Sequence, residues 1–379
     1  MPVALHRQIG QLAVVGFEGT SLPADIRALA REFDLGGVIL FARNVESPEQ
    51  VAEIAREAQQ LAQDLPLWVG IDQEGGRVAR LRHPLTEWPP MQTLGRADDE
   101  ALAGRFAAAL ARELLAVGIS IDFAPVLDVL TNPKNPAIGD RALGDRAESV
   151  ARLGAVIVRT LQESGLAACG KHFPGHGDTS VDSHLDLPLV EHPPDRLRAV
   201  EFVPFRAAID AGIAAIMTGH LLVPSLDDRH PATLSRRIVQ GLLRDELGFD
   251  GLVFTDDLDM KAISLRTTRE RAVVSAIDAG CDVVLLCGVD VGAHALALEA
   301  LIRAVEQEEI PWTRVDNALA RQRGAKKRFA ASKSVAGPAG LPGVSPLSRE
   351  WSPMPPRRLR ALIGCPEHQA VAEEMRRYA

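Results

Sequence analysis

The sequence has few cysteines, and none of them is paired by motif. Only four occur in 379 residues and none belongs to a Cys-x-x-Cys pair, so neither a zinc knuckle nor a redox motif is indicated. Cys169, Cys281 and Cys287 stand in apolar runs, where a free cysteine usually serves as a small hydrophobic side chain. This usage is typical of a reducing compartment, and we expect a cytoplasmic location.

The chain also has no excess of basic residues, few aromatic residues and no long apolar run. The formal net charge is −8 and aromatic residues make up 4% of the chain, whereas a nucleic-acid-binding protein usually shows a basic face. No run reaches the roughly 18–20 apolar residues that a membrane span needs, and no apolar segment follows a basic start. We therefore expect no nucleic-acid partner and no membrane partner, and we favour a monomer.

What the chain does have is a regular alternation of short apolar runs and longer amphipathic stretches. Several runs are apolar throughout, as expected for strands that are buried on both faces. Eight runs are predicted as strands, at 12–17, 37–41, 67–71, 120–124, 167–172, 215–218, 252–255 and 282–286. Helices are predicted at 48–62, 99–116, 149–163, 200–211, 235–247, 267–278, 292–305 and 315–329.

Eight strand–helix units favour a closed parallel barrel over an open sheet. An open dinucleotide-binding sheet requires a glycine-rich phosphate loop, and the nearest candidate, at 72–77, lacks the Gly-x-Gly-x-x-Gly spacing. The predicted fold class is therefore α/β, a (β/α)8 TIM-like barrel in a single catalytic domain at residues 1–331. Residues 332–379 are predicted to be a Pro/Gly-rich linker and a short tail, with an apolar run at 359–363 and a helix at 367–378, because their core is too small for a separate domain.

Polar residues stand where many of the predicted strands end. The chemistry of such barrels lies at the C-terminal ends of the strands, so these side chains should converge on one mouth. Any single one of them could be a polar group that merely caps a strand, but polar residues at so many strand ends are hard to explain by chance. The residues concerned are Asp72, Glu74, Arg77, Arg80, Asp122, Asp128, Arg141, Lys171, His172, His220, Asp256 and Asp257.

The densest polar segment is 171–188, with three histidines and three aspartates. Asp182 and His184 are two residues apart, so an extended loop places both on one side, where the carboxylate can orient the imidazole for acid/base work. A metal site built from His176, Asp178, Asp182, His184 and Asp186 is an alternative, although no recognised metal-ligand spacing is present. We expect neither metal nor cofactor. A third interpretation is a local turn at Asp182 with His184 on the surface.

The second candidate site is the strand end at 254–260, which carries Asp256 and Asp257. Adjacent residues on a strand face opposite ways, so only one of the two carboxylates should point into the mouth. Asp256 is the better nucleophile candidate because it comes directly at the predicted strand end. Arg77, Arg141 and Lys171 are available to keep it ionised.

These motifs together resemble glycoside hydrolase family 3, and within it the bacterial β-N-acetylglucosaminidases. The resemblance covers roughly residues 8–330. It is carried by GGVILFARN at 36–44, GIDQEGGRV at 70–78, FAPVLDV at 123–129, KHFPGHGD at 171–178, DSH at 182–184 and FTDDLDM at 254–260.

The resemblance implies a role for each site residue. Asp256 is similar to the catalytic nucleophile, His184 to the general acid/base, and Asp182 to the dyad partner of that histidine. The positions that hold the hydroxyls of the terminal sugar correspond to Asp72, Arg80, Arg141, Lys171 and His172.

The implied activity is retaining hydrolysis of terminal β-N-acetylglucosamine through a glycosyl-aspartate intermediate, with a small carbohydrate or muropeptide as substrate in peptidoglycan recycling. Three alternatives stay open at this point. The barrel could be an aldolase or lyase that uses Lys171 as a Schiff base. It could be a family 3 β-glucosidase or glycoside phosphorylase. It could also be an inactive sugar-binding barrel.

Overall fold

The structure is a computed structural model and describes residues 2–331, 345–348 and 350–379. Eight parallel strands form a closed barrel in which neighbours follow one another along the chain and the last strand pairs with the first. A two-stranded hairpin stands outside the barrel. In chain order the barrel strands and the hairpin strands β4 and β5 are β1 (Ala13–Val15), β2 (Gly37–Leu40), β3 (Trp68–Ile71), β4 (Gln73–Gly75), β5 (Val78–Ala79), β6 (Ile121–Asp122), β7 (Ala167–Phe173), β8 (Ala215–Thr218), β9 (Leu252–Asp257) and β10 (Val283–Leu286).

Helices surround the barrel. They are α1 (Pro2–Gly10), α2 (Ala24–Phe33), α3 (Pro48–Leu61), α4 (Gln92–Ala97), α5 (Glu100–Ala116), α6 (Ala147–Glu163), α7 (Pro194–Ala199), α8 (Phe202–Asp210), a π-helix (Arg237–Glu246), α9 (Lys261–Ser264), α10 (Arg269–Ala279), α11 (Val291–Glu306), α12 (Trp312–Ala330), α13 (Pro356–Leu362) and α14 (Pro366–Arg376). Some of them begin at a side-chain cap: the Ser47 hydroxyl accepts the N–H of Gln50 at the start of α3, and Asp99 accepts the N–H of Ala101 at the start of α5.

The core has two layers. The inner layer fills the barrel with inward-facing side chains, among them Phe123 and Phe254, whose rings meet edge to face at 5.6 Å. The outer layer lies between the strands and the helices. Trp68, Phe329 and Leu347 belong to the inner layer at the N-terminal end of the strands, so the barrel is filled there and the other end is available for a site.

The predicted (β/α)8 barrel is confirmed, and the differences are local. The helix predicted at 200–211 is found as α8, which begins at Phe202 because the chain leaves helical geometry at Val200, and the short helix α7 before it was not predicted. The strand predicted at 252–255 continues to Asp257. The prediction also missed α2, although its buried residues Ile26, Leu29, Ala30 and Phe33 have helical spacing.

The end of the chain lies against the barrel. Helices α13 and α14 pack on α5, and α14 also packs on α4. Most of the linker predicted at 332–356, including Pro338 and Pro342, lies outside the described residues, so the boundary at 331 stays a prediction. Among the residues that the structure describes, no helix is both long and apolar enough to cross a membrane.

Candidate active site

A cavity of about 270 Å³ lies at the C-terminal ends of the barrel strands. Apolar side chains of Ile39, Met217 and Leu285 contribute to its walls. A larger cavity of about 590 Å³ lies at the opposite end, beside Ala214 and Leu252, but catalytic residues of such barrels stand at the C-terminal end. All eight predicted site residues line the smaller cavity: Asp72, Arg80, Arg141, Lys171, His172, Asp182, His184 and Asp256.

Two carboxylates after β3 hold three cations on one side of this cavity. Asp72 accepts from Lys171 Nζ at 2.7 Å and from Arg80 at 3.1 Å. Glu74 lies 2.6 Å from the same Nζ and binds Arg141 through two hydrogen bonds of 2.8 Å. The side chain of Glu74 is 1% exposed and that of Lys171 is 3% exposed. This network fixes a row of donors and acceptors that can bind sugar hydroxyls.

The charges in this network are mutually stabilised. Burial opposes the charge on Lys171, but Asp72 and Glu74 outweigh it and raise the pKa of the ammonium. Burial likewise opposes ionisation of Glu74, and Arg141 with Lys171 holds the pKa of that carboxyl below its usual range. Because a Schiff base requires a neutral amine, this environment argues against the aldolase alternative.

The strand β9 delivers Asp256 and Asp257 to the mouth. Asp256 Oδ1 accepts the N–H of Asp257 at 2.8 Å. Asp257 Oδ1 accepts the backbone N–H groups of Asp259 and Cys287, each at 3.1 Å, so this second carboxylate ties β9 to the end of β10. Both residues line the cavity. Their contacts differ, because Asp257 is bonded to the backbone at two places, whereas Asp256 has a single short backbone contact.

The electrostatic surroundings separate the two carboxyls further. Burial opposes ionisation of Asp256, but His220 and His172 outweigh it and hold its pKa below the usual range. Burial and the neighbouring Asp259 raise the pKa of Asp257 to about 6. Asp256 is therefore the carboxyl that stays ionised over the wider pH range, as a nucleophile must.

Two buried histidines stand beside Asp256. The ring of His172 contacts Asp128 Oδ2 through Nδ1 at 2.7 Å. The ring of His220 contacts Thr233 Oγ1 through Nδ1 at 2.8 Å and the carbonyl of Asp257 through Nε2 at 2.9 Å. Since a carbonyl only accepts, His220 Nε2 carries a proton, and burial lowers the pKa of this imidazole. His220 thus fixes the backbone of β9.

The loop at 174–188 closes one side of the cavity. His184 Nδ1 lies 2.8 Å from Asp182 Oδ1, and the side chains are 71% and 27% exposed. Burial opposes ionisation of Asp182, but the backbone N–H and ring of His184 hold the pKa of this carboxyl below its usual range. Both residues line the cavity, so the structure brings the loop pair and Asp256 to the same space.

The other polar residues of this loop have different partners. His176 Nδ1 contacts Thr179 at 2.7 Å, and burial together with His172 lowers the pKa of His176 to about 4. Asp178 contacts His192, and Asp186 pairs with Arg266. In the described part of the chain, no three His, Cys, Asp or Glu side chains come together as a metal site would require.

Three supporting residues were seen in the sequence only as polar residues near strand ends. Glu74 binds Arg141 and Lys171, Asp128 binds His172, and His220 binds the backbone of Asp257. The alternation of Asp72 and Glu74 after β3 was a usable signal, because residues two apart in extended backbone face the same side.

Comparison of the sequence with known proteins identifies the family. The model of the glycosyl hydrolase family 3 N-terminal domain matches residues 4–323. A protein named β-hexosaminidase from Thiobacillus denitrificans is 42% identical over 275 residues, which is 71% of this chain and 76% of that protein. A β-hexosaminidase from Pseudomonas aeruginosa is 39% identical over 286 residues, covering 75% of this chain and 84% of that protein.

Comparison of the fold gives the same result. A glycoside hydrolase family 3 β-N-acetylglucosaminidase from Paenibacillus sp. superposes with a TM-score of 0.87 at 41% sequence identity, over 99% of this chain and 68% of that one. A β-N-acetylhexosaminidase from Beutenbergia cavernae superposes with a TM-score of 0.80 at 30% identity, over 85% of this chain and 98% of that one. The chain therefore belongs to glycosyl hydrolase family 3, as a glycoside hydrolase of the β-hexosaminidase group.

Proposed function

We propose that this enzyme is a retaining exo-glycosidase that releases terminal, non-reducing β-N-acetylglucosamine through a covalent intermediate on Asp256. The observation that carries the proposal is the placement of this partly buried carboxylate in the same cavity as the His184–Asp182 pair and the ionic network of Asp72, Lys171 and Arg80. A nucleophile, an acid/base group and a set of hydroxyl-binding groups are the three parts that such a reaction requires.

In the first step, Asp256 attacks the anomeric carbon and the bond to the leaving oxygen breaks. Protonated His184 donates its Nε2 proton to that oxygen, so the aglycone leaves as a neutral alcohol and a glycosyl ester forms on Asp256. The lowered pKa of Asp256 supports its role, because the carboxylate is ionised before substrate arrives.

In the second step, neutral His184 removes a proton from a water molecule that attacks the same carbon. The ester bond to Asp256 breaks, and the sugar leaves with its configuration retained. Asp182 accepts from His184 Nδ1, which fixes the neutral tautomer with its lone pair on Nε2 and stabilises the imidazolium.

We propose that Asp72, Arg80, Arg141, Lys171 and His172 bind the hydroxyls of the terminal sugar, and that the substrates are peptidoglycan-derived muropeptides in the cytoplasm. The four cysteines are free and buried, which supports a reducing compartment. A panel of nitrophenyl β-glycosides tests the sugar preference, and N-acetylglucosaminyl-anhydromuropeptides test the natural substrate. A β-glucoside turned over faster than the N-acetylglucosaminide would overturn the sugar assignment.

Trapping the intermediate tests the nucleophile. A 2-deoxy-2-fluoro glycosyl fluoride should inactivate the wild-type enzyme, and peptide mass spectrometry should locate the label on Asp256. Asp256→Ala should neither be labelled nor release nitrophenol at a measurable rate. Asp259→Asn is the matched control, since Asp259 lies three residues further on and pairs with Arg269. Label on another residue, or near-normal turnover by Asp256→Ala, would overturn the proposal.

A further inference from the structure

A buried carboxylate joins the end of the chain to the barrel. Glu113 on α5 is 1% exposed, and its Oε1 accepts from Gly364 N, His368 Nδ1 and Thr86 Oγ1, each at 2.7 Å. Its Oε2 accepts the backbone N–H of Thr86 at 2.9 Å. Two of the four donors are at the end of the chain: Gly364 lies between α13 and α14, and His368 lies in the first turn of α14. The other two belong to Thr86, in the segment that follows the hairpin β4–β5.

Further contacts hold the C-terminal helices against that second segment. The Arg376 guanidinium on α14 donates to the carbonyl of Glu87 at 2.8 Å. Gly364 has φ +56°, and a Cβ added there would lie 2.2 Å from the carbonyl oxygen of Pro84. The contact at Gly364 is thus a direct approach of two backbones, which a side chain would prevent.

The segment that α14 contacts, residues 84–89, packs directly on the backbone next to Glu74, the carboxylate that pairs with Arg141 and Lys171. The carbonyl of Trp88 accepts the N–H of Gly76 at 2.9 Å. A Cβ at Gly75 would lie 2.9 Å from the carbonyl of Pro89. Gly75 directly follows Glu74, so residues 84–89 and the backbone of Glu74 lie in one packed layer.

Arg80 lies between the hairpin β4–β5 and residues 84–89. Gln73 Oε1 accepts the backbone N–H groups of Arg80 and Leu81 at 2.8 and 3.0 Å, and Gln73 Nε2 donates to the carbonyl of Leu81 at 2.7 Å. Gln73 stands between Asp72 and Glu74. Gln73 therefore joins the backbone beside Asp72 and Glu74 to that of Arg80, which leads into the segment that α14 contacts.

We propose that helices α13 and α14 position segment 72–91 for sugar binding, with His368 as a positioning residue that acts through Glu113 and Thr86. This inference rests on the proposed role of Asp72 and Arg80 in holding the terminal sugar. Loosening the support moves these groups relative to the sugar in the ground state and the transition state alike, so it raises KM with little change in kcat.

Two variants of the full chain remove the support in different ways. His368→Leu removes the donor to Glu113 and puts an apolar side chain of similar size in its place. Gly364→Val introduces a side chain where Pro84 approaches. Both should raise KM for the nitrophenyl N-acetylglucosaminide, and the inhibition constant of free N-acetylglucosamine, by about tenfold, which corresponds to about 1.4 kcal/mol of lost binding. Arg376→Ala removes one exposed contact and should give a smaller rise, and it serves as the milder variant if the other two fold poorly.

Two matched variants control for general destabilisation. His368→Asn restores a donor at the position of Nδ1 and should recover a near-normal KM. Glu373→Ala changes an exposed residue on the same helix and should leave KM unchanged. Backbone hydrogen exchange gives a readout that does not depend on activity: residues 76–91 should exchange faster in His368→Leu and Gly364→Val, and at the wild-type rate in the controls.

Unchanged exchange at 76–91 in both disruptive variants would overturn the inference, as would faster exchange with an unchanged KM. Equal loss in His368→Leu and His368→Asn would also overturn it, since the donor would then be irrelevant. Failure of the proposed function has a different signature, because Asp256→Ala would retain turnover in the same assay while the exchange result at 76–91 would stand by itself.

Discussion

His184 Nδ1 lies 2.8 Å from Asp182 Oδ1, on a loop where the imidazole is largely exposed and the carboxylate is half-buried. The carboxylate can only accept, so Nδ1 carries a proton, and in the proposed mechanism Nε2 is the nitrogen that exchanges protons with substrate and water. The same Oδ1 accepts the backbone N–H of His184 at 2.9 Å. One carboxylate oxygen therefore fixes both the tautomer and the local backbone of the proposed acid/base residue.

The first prediction concerns the dependence on the leaving group. His184→Ala should lower kcat/KM by about 10²–10⁴-fold for poor leaving groups and much less for dinitrophenol, which needs little protonation. Asp182→Asn should give a smaller loss with the same trend. The check is the slope of log kcat/KM against the acidity of a series of phenols. Asp186→Asn is the control: Asp186 lies on the same loop as His184 but pairs with Arg266, so this variant should keep the wild-type slope. Equal loss for all phenols would contradict the acid role.

The second prediction concerns Glu74, whose carboxylate compensates Arg141 and Lys171. Glu74→Gln leaves both cations without that charge in a buried setting, and breaking such a pair costs roughly 3–5 kcal/mol of unfolding free energy. KM should rise as well, since the donors that face the sugar lose their fixed positions. Denaturant titration and steady-state kinetics check these effects. Glu57→Gln breaks the more exposed pair with Arg27 and should cost much less. A wild-type midpoint and KM in Glu74→Gln would contradict the prediction.

The barrel and the convergence of its site residues could be predicted from sequence for a geometric reason. Strands such as β7 and β9 begin as apolar runs and carry polar residues at or near their C-terminal ends. In a closed parallel barrel all C-terminal strand ends meet at one mouth, so Lys171 and Asp256 must approach each other whatever the loops do.

The partners of these residues could not be predicted, because they depend on contacts between distant parts of the chain. Glu74 and Arg141 are separated by 67 positions, and Glu113 and His368 by 255. No periodicity or capping signal specifies such pairs. The tail carried only a short apolar run and a helical pattern in the sequence, and its contact with segment 72–91 depends on the backbone approach at Gly364.

The third prediction concerns Asp128, which orients His172. Its carboxylate accepts from the ring of His172 at 2.7 Å and from the backbone N–H of His176 at 2.7 Å. Asp128→Asn removes the charge and turns one acceptor into a donor. Hydrogen bonds to charged groups contribute about 1.5–3 kcal/mol, so kcat/KM should fall by roughly 10- to 100-fold. Steady-state kinetics on folded protein, verified by circular dichroism, measures the loss. Unchanged kcat/KM would show that this orientation is not required.

A buried lysine lies at the N-terminal end of the barrel, far from the active site. Lys326 Nζ donates to Gln11 Oε1 and to the carbonyl of Gly36, both at 2.9 Å. The residue is 1% exposed. Burial lowers the pKa of Lys326 to about 7, and the nearby Asp34 only partly offsets this. The ordinary value is 10.5, so the folded protein binds fewer protons than the unfolded chain between the two values.

The last prediction follows from this difference. Stability rises with pH wherever the unfolded state binds more protons, so Lys326 should add stability as pH rises from about 7 towards 10, by at most about 1.4 kcal/mol per pH unit. Below pH 7 the group binds a proton in both states and its contribution is constant.

Lys326→Met removes the effect, so the difference in unfolding free energy between wild type and variant should shift in favour of wild type from pH 7 to 9. Denaturant titrations of both proteins at each pH measure this difference. The difference also cancels the contribution of the buried thiols, which is the same in both proteins. That contribution lowers stability above pH 8, because burial raises the pKa of Cys169 and Cys281. A difference that stays constant with pH would mean that Lys326 remains charged in the folded protein.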